Sequence, residues 1–176
     1  GSRSKIEVKA QRYILKRLIQ EADDQDTIFL VNLNTRARLV STEFSSVRSG
    51  DADRLTRDPK LAHLGATNFA EGLIAVANII ETHKPKNPYV LYLGDGTATD
   101  GQTEIESLVA AIPKSATFIG IGVGKKVDAR LLQAAADATG GAFTTINPDE
   151  DIDWRIFDLI AALNTPRLTG LTVRLE

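Results

Sequence analysis

The chain contains no cysteine and no methionine. Without cysteine there is no disulfide framework and no thiolate metal site, and the compartment stays open, since such a composition suits any of them. Methionine is missing even at position 1. The chain is therefore expected to have been cut from something longer, with Gly1-Ser2 as a cloning remnant that carries no fold information. An excess of positive charge is also lacking: 21 Lys and Arg stand against 23 Asp and Glu, a formal net charge of -2. No large basic surface follows, and nucleic acid is not an expected partner. No apolar run approaches the roughly 18 residues of a membrane-spanning helix, and no signal peptide is visible, so this chain is expected to make no direct membrane contact. Histidine is scarce. His63 and His83 fall in a loop and at a helix end, and two histidines without cysteine make a poor zinc site. No Gly-x-Ser-x-Gly elbow supplies an activated serine.

What is present suits one domain with a full core: 176 residues, 43% of them hydrophobic. From Lys5 to Glu21, Ile6, Ala10, Tyr13, Ile14 and Leu18 recur at three- and four-residue spacing, which predicts an amphipathic helix. Thr27 to Leu33 is a β-branched and aromatic run and reads as a strand. The turn Asn34-Thr35-Arg36 and the segment Ala37 to Ser41 complete a hairpin. Ser45 to Leu64 is polar and reads as a surface loop with one short helix near Leu61. Asn68 and Glu71 form a capping box that opens a helix, with Phe69, Leu73, Val76, Ala77 and Ile80 as its buried stripe and Pro85 just beyond its end. Thr103 with Glu106 repeats the pattern and predicts a helix through Ile112. Ala116 to Val123 is a continuous apolar strand. Asp128 caps a helix that stops at Gly140-Gly141, and Ala142 to Ile146 is a further strand. Asp151 to Leu163 is amphipathic, and Leu171 to Glu176 alternates as a half-exposed strand does. Helices alternating with apolar strands predict an α/β fold, a doubly wound, mostly parallel open sheet with helices on both faces.

The stretch from Pro88 to Gly101 carries the functional argument. The apolar run Tyr89 to Leu93 ends abruptly at Gly94-Asp95-Gly96, as a buried parallel strand does when it delivers a carboxylate to the surface. Ligands of open α/β sheets bind just outside the carboxyl ends of strands. Nearby glycine patterns do not suit a nucleotide. In Gly120-Ile-Gly122-Val-Gly124-Lys125 the third glycine of a dinucleotide fingerprint would fall at Lys125, and a P-loop would need glycine at Ile119 and a hydroxyl at Lys126. These glycines read instead as places where a helix packs closely on a strand. A calcium loop starting at Asp95 fails as well, with Asp100 where glycine belongs and Ser107 where glutamate belongs.

One constellation remains. Thr67, in the loop that opens the helix before the key strand, and Asp95, at the end of that strand, would lie on the same carboxyl edge of the sheet. A hydroxyl and a carboxylate are hard oxygen ligands of the type magnesium accepts.

At these residues the chain resembles a von Willebrand factor type A (vWA) domain. The matching pieces are the helix from Lys5, the turn at Asp26 with Thr27–Leu33, Gly65-Ala-Thr-Asn68, Leu91-Tyr-Leu-Gly-Asp-Gly96, Phe118 to Gly124 and Gly140-Gly-Ala-Phe143. The order and spacing run from about Lys5 to Leu163. The nearest likeness is to bacterial vWA domains joined to a VIT domain (vault protein and inter-α-trypsin inhibitor type). The resemblance divides the chain into a vWA-like domain over 1–165 and a strand or linker over 166–176 that leads to a following module. It implies a non-catalytic adhesion module. In its metal-ion-dependent adhesion site (MIDAS), Mg2+, or Mn2+ or Ca2+ in its place, is held by an Asp-x-Ser-x-Ser loop, a threonine and an aspartate. The last two map onto Thr67 and Asp95. The expected partner is a protein whose acidic side chain completes the metal's coordination, and the parent is expected to be secreted or attached to the cell envelope. In several vWA domains the helix equivalent to Asp151–Leu163 shifts when the metal site is occupied.

The Asp-x-Ser-x-Ser loop and its strand should precede the Lys5 helix, where only Gly1-Ser-Arg-Ser4 stands. Ser2 and Ser4 have the serine spacing and are the remaining candidate metal ligands, although they lie close to the helix. The strand in question is the central one of the family's sheet. Burying five or six apolar side chains at about 1.5–3 kcal/mol each contributes on the order of 10 kcal/mol, which rivals the roughly 5–15 kcal/mol of a whole domain. Something is therefore expected to fill the slot. Exchange between two copies in a dimer, or a separate peptide, would suffice. Leu171–Leu175 is a poorer filler, because Arg174 and Glu176 would enter the centre. With two protein ligands, one of them charged, magnesium binding by this chain alone is expected to be weak or absent.

Two other functions fit parts of the same residues. A vWA-like scaffold with a degenerate site would bind no metal. Gly94-Asp95-Gly96 with Asp100 also resembles the acidic metal loop of haloacid dehalogenase-type phosphohydrolases. That reading lacks the Asp-x-Asp nucleophile motif, and its spacing is one residue too long.

Overall fold

The computed structural model describes residues 2–48, 50–57 and 67–164. The expected short helix near Leu61, His63, the turn Gly65-Ala66 and the strand Leu171–Glu176 lie outside the described residues, as does the proposed boundary after residue 165.

The chain opens on a long helix, α1 (Ser2–Glu21). It starts three residues before the expected Lys5, so Ser2 and Ser4 belong to a helix rather than a loop. Four short strands follow, β1 (Thr27–Ile28), β2 (Val31–Leu33), β3 (Ala37–Leu39) and β4 (Ser45–Ser46), and then α2 (Asp51–Arg57). The remainder alternates: α3 (Phe69–His83), β5 (Tyr89–Gly94), α4 (Ile105–Ala110), β6 (Thr117–Val123), α5 (Ala129–Thr139), β7 (Ala142–Ile146) and α6 (Ile152–Asn164). Strands β5, β6 and β7 form a parallel sheet in that order. β2 and β3 form the expected antiparallel hairpin, and β1 pairs antiparallel with β4.

Each face of the parallel sheet carries its own core. Along β6 the side chains alternate in the two-residue period of a strand. Ile119, Ile121 and Val123 face Ala10 and Ile14 of α1 and Ile156 and Leu159 of α6. Phe118 faces the other way, among Phe69 and Leu73 of α3, Leu108 of α4 and Leu132, Ala135 and Ala136 of α5. The doubly wound architecture follows directly from that alternation. Gly120 and Gly122 occupy the face toward α5 and its entry loop, where a Cβ at Gly120 would stand 3.0 Å from Leu132 Cβ and one at Gly122 would collide with Val127. The glycines of this strand thus serve close packing, as their sequence context indicates. Gly140 ends α5 at φ 66°, and at Gly141 the chain passes so close to Phe118 that a Cβ would overlap the Phe118 carbonyl.

Several boundaries differ from expectation for identifiable reasons. Thr27 to Leu33 is two strands, not one. At the break, Leu30 N–H donates to the Ser41 hydroxyl at 3.0 Å instead of to a main-chain carbonyl, and the Leu30 carbonyl accepts from both Val40 and Ser41. Within the expected loop, α2 buries Leu55, and its basic last turn, Arg54 and Arg57, complements the helix dipole. Thr103 does not cap α4. Gln102 Oε1 accepts from the N–H groups of Thr103 and Glu104, which delays the helix to Ile105. On α1, Ile6 and Tyr13 of the expected apolar stripe are exposed. Tyr13 reaches across to α6 and donates to Asp153 at 2.8 Å.

Among the described residues the parallel sheet has an open side. β5 pairs with β6 on one edge, and no strand among the described residues pairs with its other edge. Tyr89 is 59% exposed and Leu91 47%, in a strand whose composition suits full burial. The β2–β3 hairpin does not hydrogen-bond to β5. It is held beside the sheet by α3, where Asn68 N–H donates to the Asn34 carbonyl at 2.8 Å and Leu33 packs against Gly72. Among the described residues no helix is long and apolar enough to cross a membrane.

Candidate functional site

β5 leaves the core at Gly94, and Asp95 stands exposed just past its carboxyl end. The turn beyond it is built by main-chain bonds. Asp95 Oδ1 accepts from Thr97 N–H at 3.0 Å, and the Asp95 carbonyl accepts from Asp128 N–H at 2.8 Å, which ties the turn to the start of α5. Gly96 is held at φ 74° against the Asp128 carbonyl, where a Cβ would come within 2.7 Å. The first carboxylate oxygen is thus used to fix the turn, and the carboxylate as a whole faces solvent.

Thr67 reaches the same edge from the other side of α3's start. Its N–H donates to Thr99 Oγ1 at 2.8 Å, and its carbonyl accepts from the N–H groups of Thr99 at 3.0 Å and Asp100 at 3.3 Å. These bonds engage the main chain of Thr67 and not its hydroxyl. Next to it, Asn68 caps α3 as expected, with Oδ1 accepting from Glu71 N–H at 3.1 Å. Gly101, at φ 69°, lies against that amide, so the loop from Thr97 to Gly101 closes over the start of α3. Thr67 and Asp95 are therefore fixed to one loop, four residues apart at their points of attachment.

Tyr92 underlies this turn. Its ring packs on Phe69 at 4.9 Å between centroids, and its hydroxyl oxygen accepts from Gly96 N–H at 3.3 Å. Burial, and then the nearby Asp95 charge, push its phenol well above the usual value. Sequence reasoning passed over Tyr92, Thr97 and Thr99. The strand's two-residue period could have placed Tyr92 beneath the turn, whereas nothing local to Thr99 signals a bond to a residue 32 positions away.

Ser2 and Ser4 are not brought into this arrangement by any described contact, and their side chains lie outside the described residues. Thr67 and Asp95 are hard oxygen donors and fit a hard divalent cation in kind. In number they fall short: among the described residues no group of three or more His, Cys, Asp or Glu gathers that could hold a metal.

The family model of the von Willebrand factor type A domain matches residues 1–144. The chain belongs to the vWA family. Solved structures agree on the fold. BatB from Bacteroides thetaiotaomicron superposes with a TM-score of 0.68 at 14% identity, over 89% of this chain and 87% of that one. An aerotolerance-related membrane protein from Bacteroides fragilis gives 0.70 at 10% identity, over 89% and 88%. Proximal thread matrix protein 1 from the mussel byssus, in a structure with a zinc-occupied MIDAS motif, gives 0.68 at 17% identity, over 88% of this vWA chain but 40% of its own. At such identities the likeness concerns the fold alone. No curated protein sequence matches the chain. As a vWA domain, this chain is of a class that typically mediates contacts between proteins.

Proposed function

We propose that this vWA domain is a non-catalytic protein-binding module whose contact point is a divalent cation at the carboxyl edge of the sheet, with Thr67 and Asp95 as its ligands from this chain. The observation that carries the reading is the clasp between Thr67 and the loop after β5. It joins a threonine and an aspartate that are 28 residues apart in sequence to one short turn. The ion is Mg2+, with Mn2+ or Ca2+ as substitutes, in keeping with two hard oxygen donors. A relative with zinc in its MIDAS motif supports a divalent metal in this family.

Magnesium gives up water reluctantly and needs near-octahedral coordination. Two protein ligands leave most positions to other donors. An Asp-x-Ser-x-Ser segment at the end of a strand seated on the free edge of β5 would supply some, and the carboxylate of a partner protein the last. That strand comes from the parent protein, from a second copy or from a separate peptide. The parent is a secreted or envelope-associated bacterial protein, with a VIT-type module as its companion.

The test is a calorimetric titration of Mn2+ into the chain alone and into the chain mixed with an apolar strand peptide that ends in Asp-x-Ser-x-Ser. Binding that requires the peptide and disappears in Asp95→Ala supports the proposal. Unchanged binding in Asp95→Ala contradicts it. A second reading, a metal-free vWA scaffold, is favoured by the absence among the described residues of any group of three or more His, Cys, Asp or Glu that could hold a metal. It predicts no binding in either mixture.

A further inference from the structure

The loop after β5 contains the same dipeptide twice, Asp95-Gly96 and Asp100-Gly101, and the chain holds no other Asp-Gly or Asn-Gly pair. An aspartate before glycine is the pair most open to spontaneous isomerisation, because glycine has no Cβ to shield its nitrogen from the neighbouring carboxyl group. The two pairs differ in how the fold holds them. At the first, Gly96 is buried, its N–H donates to the Tyr92 hydroxyl at 3.3 Å, and the Asp128 carbonyl closes the space beside it. Asp95 is fixed in side chain and main chain alike. Its Oδ1 accepts from Thr97 N–H at 3.0 Å, and its carbonyl accepts from Asp128 N–H at 2.8 Å.

At the second pair these restraints are missing. Asp100 and Gly101 are both exposed. Among the described residues, no hydrogen bond or ion pair holds the Asp100 carboxylate, and Gly101 N–H has no partner. Asp100 is attached through its main-chain N–H, which donates to the Thr67 carbonyl at 3.3 Å. Its side chain is free to rotate toward the Gly101 nitrogen.

We propose that Asp100-Gly101 is a site of spontaneous isoaspartate formation, and that the fold protects Asp95-Gly96 from the same reaction. The Gly101 nitrogen attacks Cγ of the protonated Asp100 carboxyl group. An N–Cγ bond forms, the amide proton and the carboxyl hydroxyl leave as one water molecule, and a five-membered succinimide results. Water then opens the ring. Addition at Cγ restores aspartate. Addition at the main-chain carbonyl breaks its bond to the Gly101 nitrogen, so the chain now runs through Cγ, gains one methylene and carries a free α-carboxylate. At Asp95 the same attack requires Gly96 N–H to leave Tyr92 and the carboxylate to leave Thr97, which slows it about tenfold or more. The added methylene falls between two attachments of the loop, the bonds of Thr99 and Asp100 to Thr67 and the contact of Gly101 with the Asn68 amide. It therefore loosens the start of α3. The modification does not depend on metal binding. A loss of cation affinity on ageing is expected only where Thr67 and Asp95 are ligands.

The test is to age the chain in warm, mildly acidic buffer, once folded and once in urea. Isoaspartate is counted with a protein isoaspartate methyltransferase and located by electron-transfer fragmentation of the peptide that spans both pairs. In the folded chain isoaspartate is expected at Asp100, with Asp95 reacting more slowly by about tenfold or more. In urea the two rates should be comparable, since the local sequences are alike and only the fold separates them. Asp100→Glu would need a six-membered ring and should abolish the signal of the folded chain, with circular dichroism to check that it stays folded. The isomerised chain, separated by chromatography, should exchange the amide hydrogens of Thr99 and Glu71 faster than the fresh one. Equal rates at the two pairs in the folded chain, a faster reaction at Asp95, or no reaction at Asp100 while the urea sample reacts would each overturn the proposal. Unchanged hydrogen exchange in the isomerised chain would overturn its effect on α3.

Discussion

Thr67 and Thr99 bond to each other in both directions: Thr67 N–H donates to Thr99 Oγ1 at 2.8 Å, and Thr99 N–H donates to the Thr67 carbonyl at 3.0 Å. Only the first bond uses a side chain. Thr99→Ala should therefore loosen Thr67 without releasing it, at a stability cost of about 1 kcal/mol, and should lower the cation affinity of the completed site. Thr99→Ser keeps the oxygen and should restore both. Urea denaturation and Mn2+ titration of the two variants check this, and equal affinities would show that the clasp does not position Thr67.

Asp95→Ala should separate function from fold. The carboxylate is exposed and accepts one main-chain bond, from Thr97. Its loss should cost no more than about 1.5 kcal/mol, while cation binding by the completed site should vanish. A collapse of the thermal transition would assign Asp95 a structural role instead.

Tyr92 should give the domain a specific weakness in alkali. Its phenol is raised by burial and by Asp95, so between the unfolded value near 10 and the higher folded one the folded state holds the proton that the unfolded chain releases. The contribution is fully present below about pH 10 and is lost as pH rises toward the folded value, with a slope of up to about 1.4 kcal/mol per pH unit. Tyr92→Phe should remove this component, measured as a shallower fall in urea stability above pH 10 than in the parent chain.

Gly122 and Gly141 should be intolerant for different reasons. At Gly122 a methyl meets the side chain of Val127, so Gly122→Ala should cost about 1–3 kcal/mol. At Gly141 it meets the main chain of Phe118, which cannot move without breaking the β6–β7 ladder. Gly141→Ala should be clearly the more damaging of the two in thermal melts.

Among the described residues one edge of β5 is unpaired, and this predicts association with a further strand. Leu91→Lys should barely alter the chain's own melting temperature, because Leu91 is already half exposed, and should abolish capture of an apolar strand peptide or of a second copy. Solution scattering of the parent chain should show either association or an expanded particle. A compact monomer with no substitute strand would contradict this account of the edge.

The parts of the fold legible in sequence were those with a strong local signal. The apolar runs of β5, β6 and β7 have few alternatives, the Asn68 side chain caps Glu71 N–H as its spacing indicates while Asn68 N–H goes to Asn34 instead of closing the box, and Gly140-Gly141 stopped α5. What stayed hidden was decided by distant partners or by competing side chains. Ser41 interrupts β1 and β2 from eleven residues away, and Gln102 takes the amides that Thr103 was expected to organise. Asp95 could be placed from its strand end alone. The Thr67–Thr99 clasp could not, because each partner reads locally as an ordinary loop residue.

The central claim is that Thr67 and Asp95 hold a divalent cation once a strand occupies the free edge of β5. The most direct measurement is the calorimetric titration of Mn2+ into the chain with and without the strand peptide, repeated with Asp95→Ala. The account predicts saturable one-to-one binding only with the peptide and only with Asp95 in place. Absence of binding in every mixture, despite demonstrated capture of the peptide, would contradict it and leave a vWA fold that recognises its partner without metal.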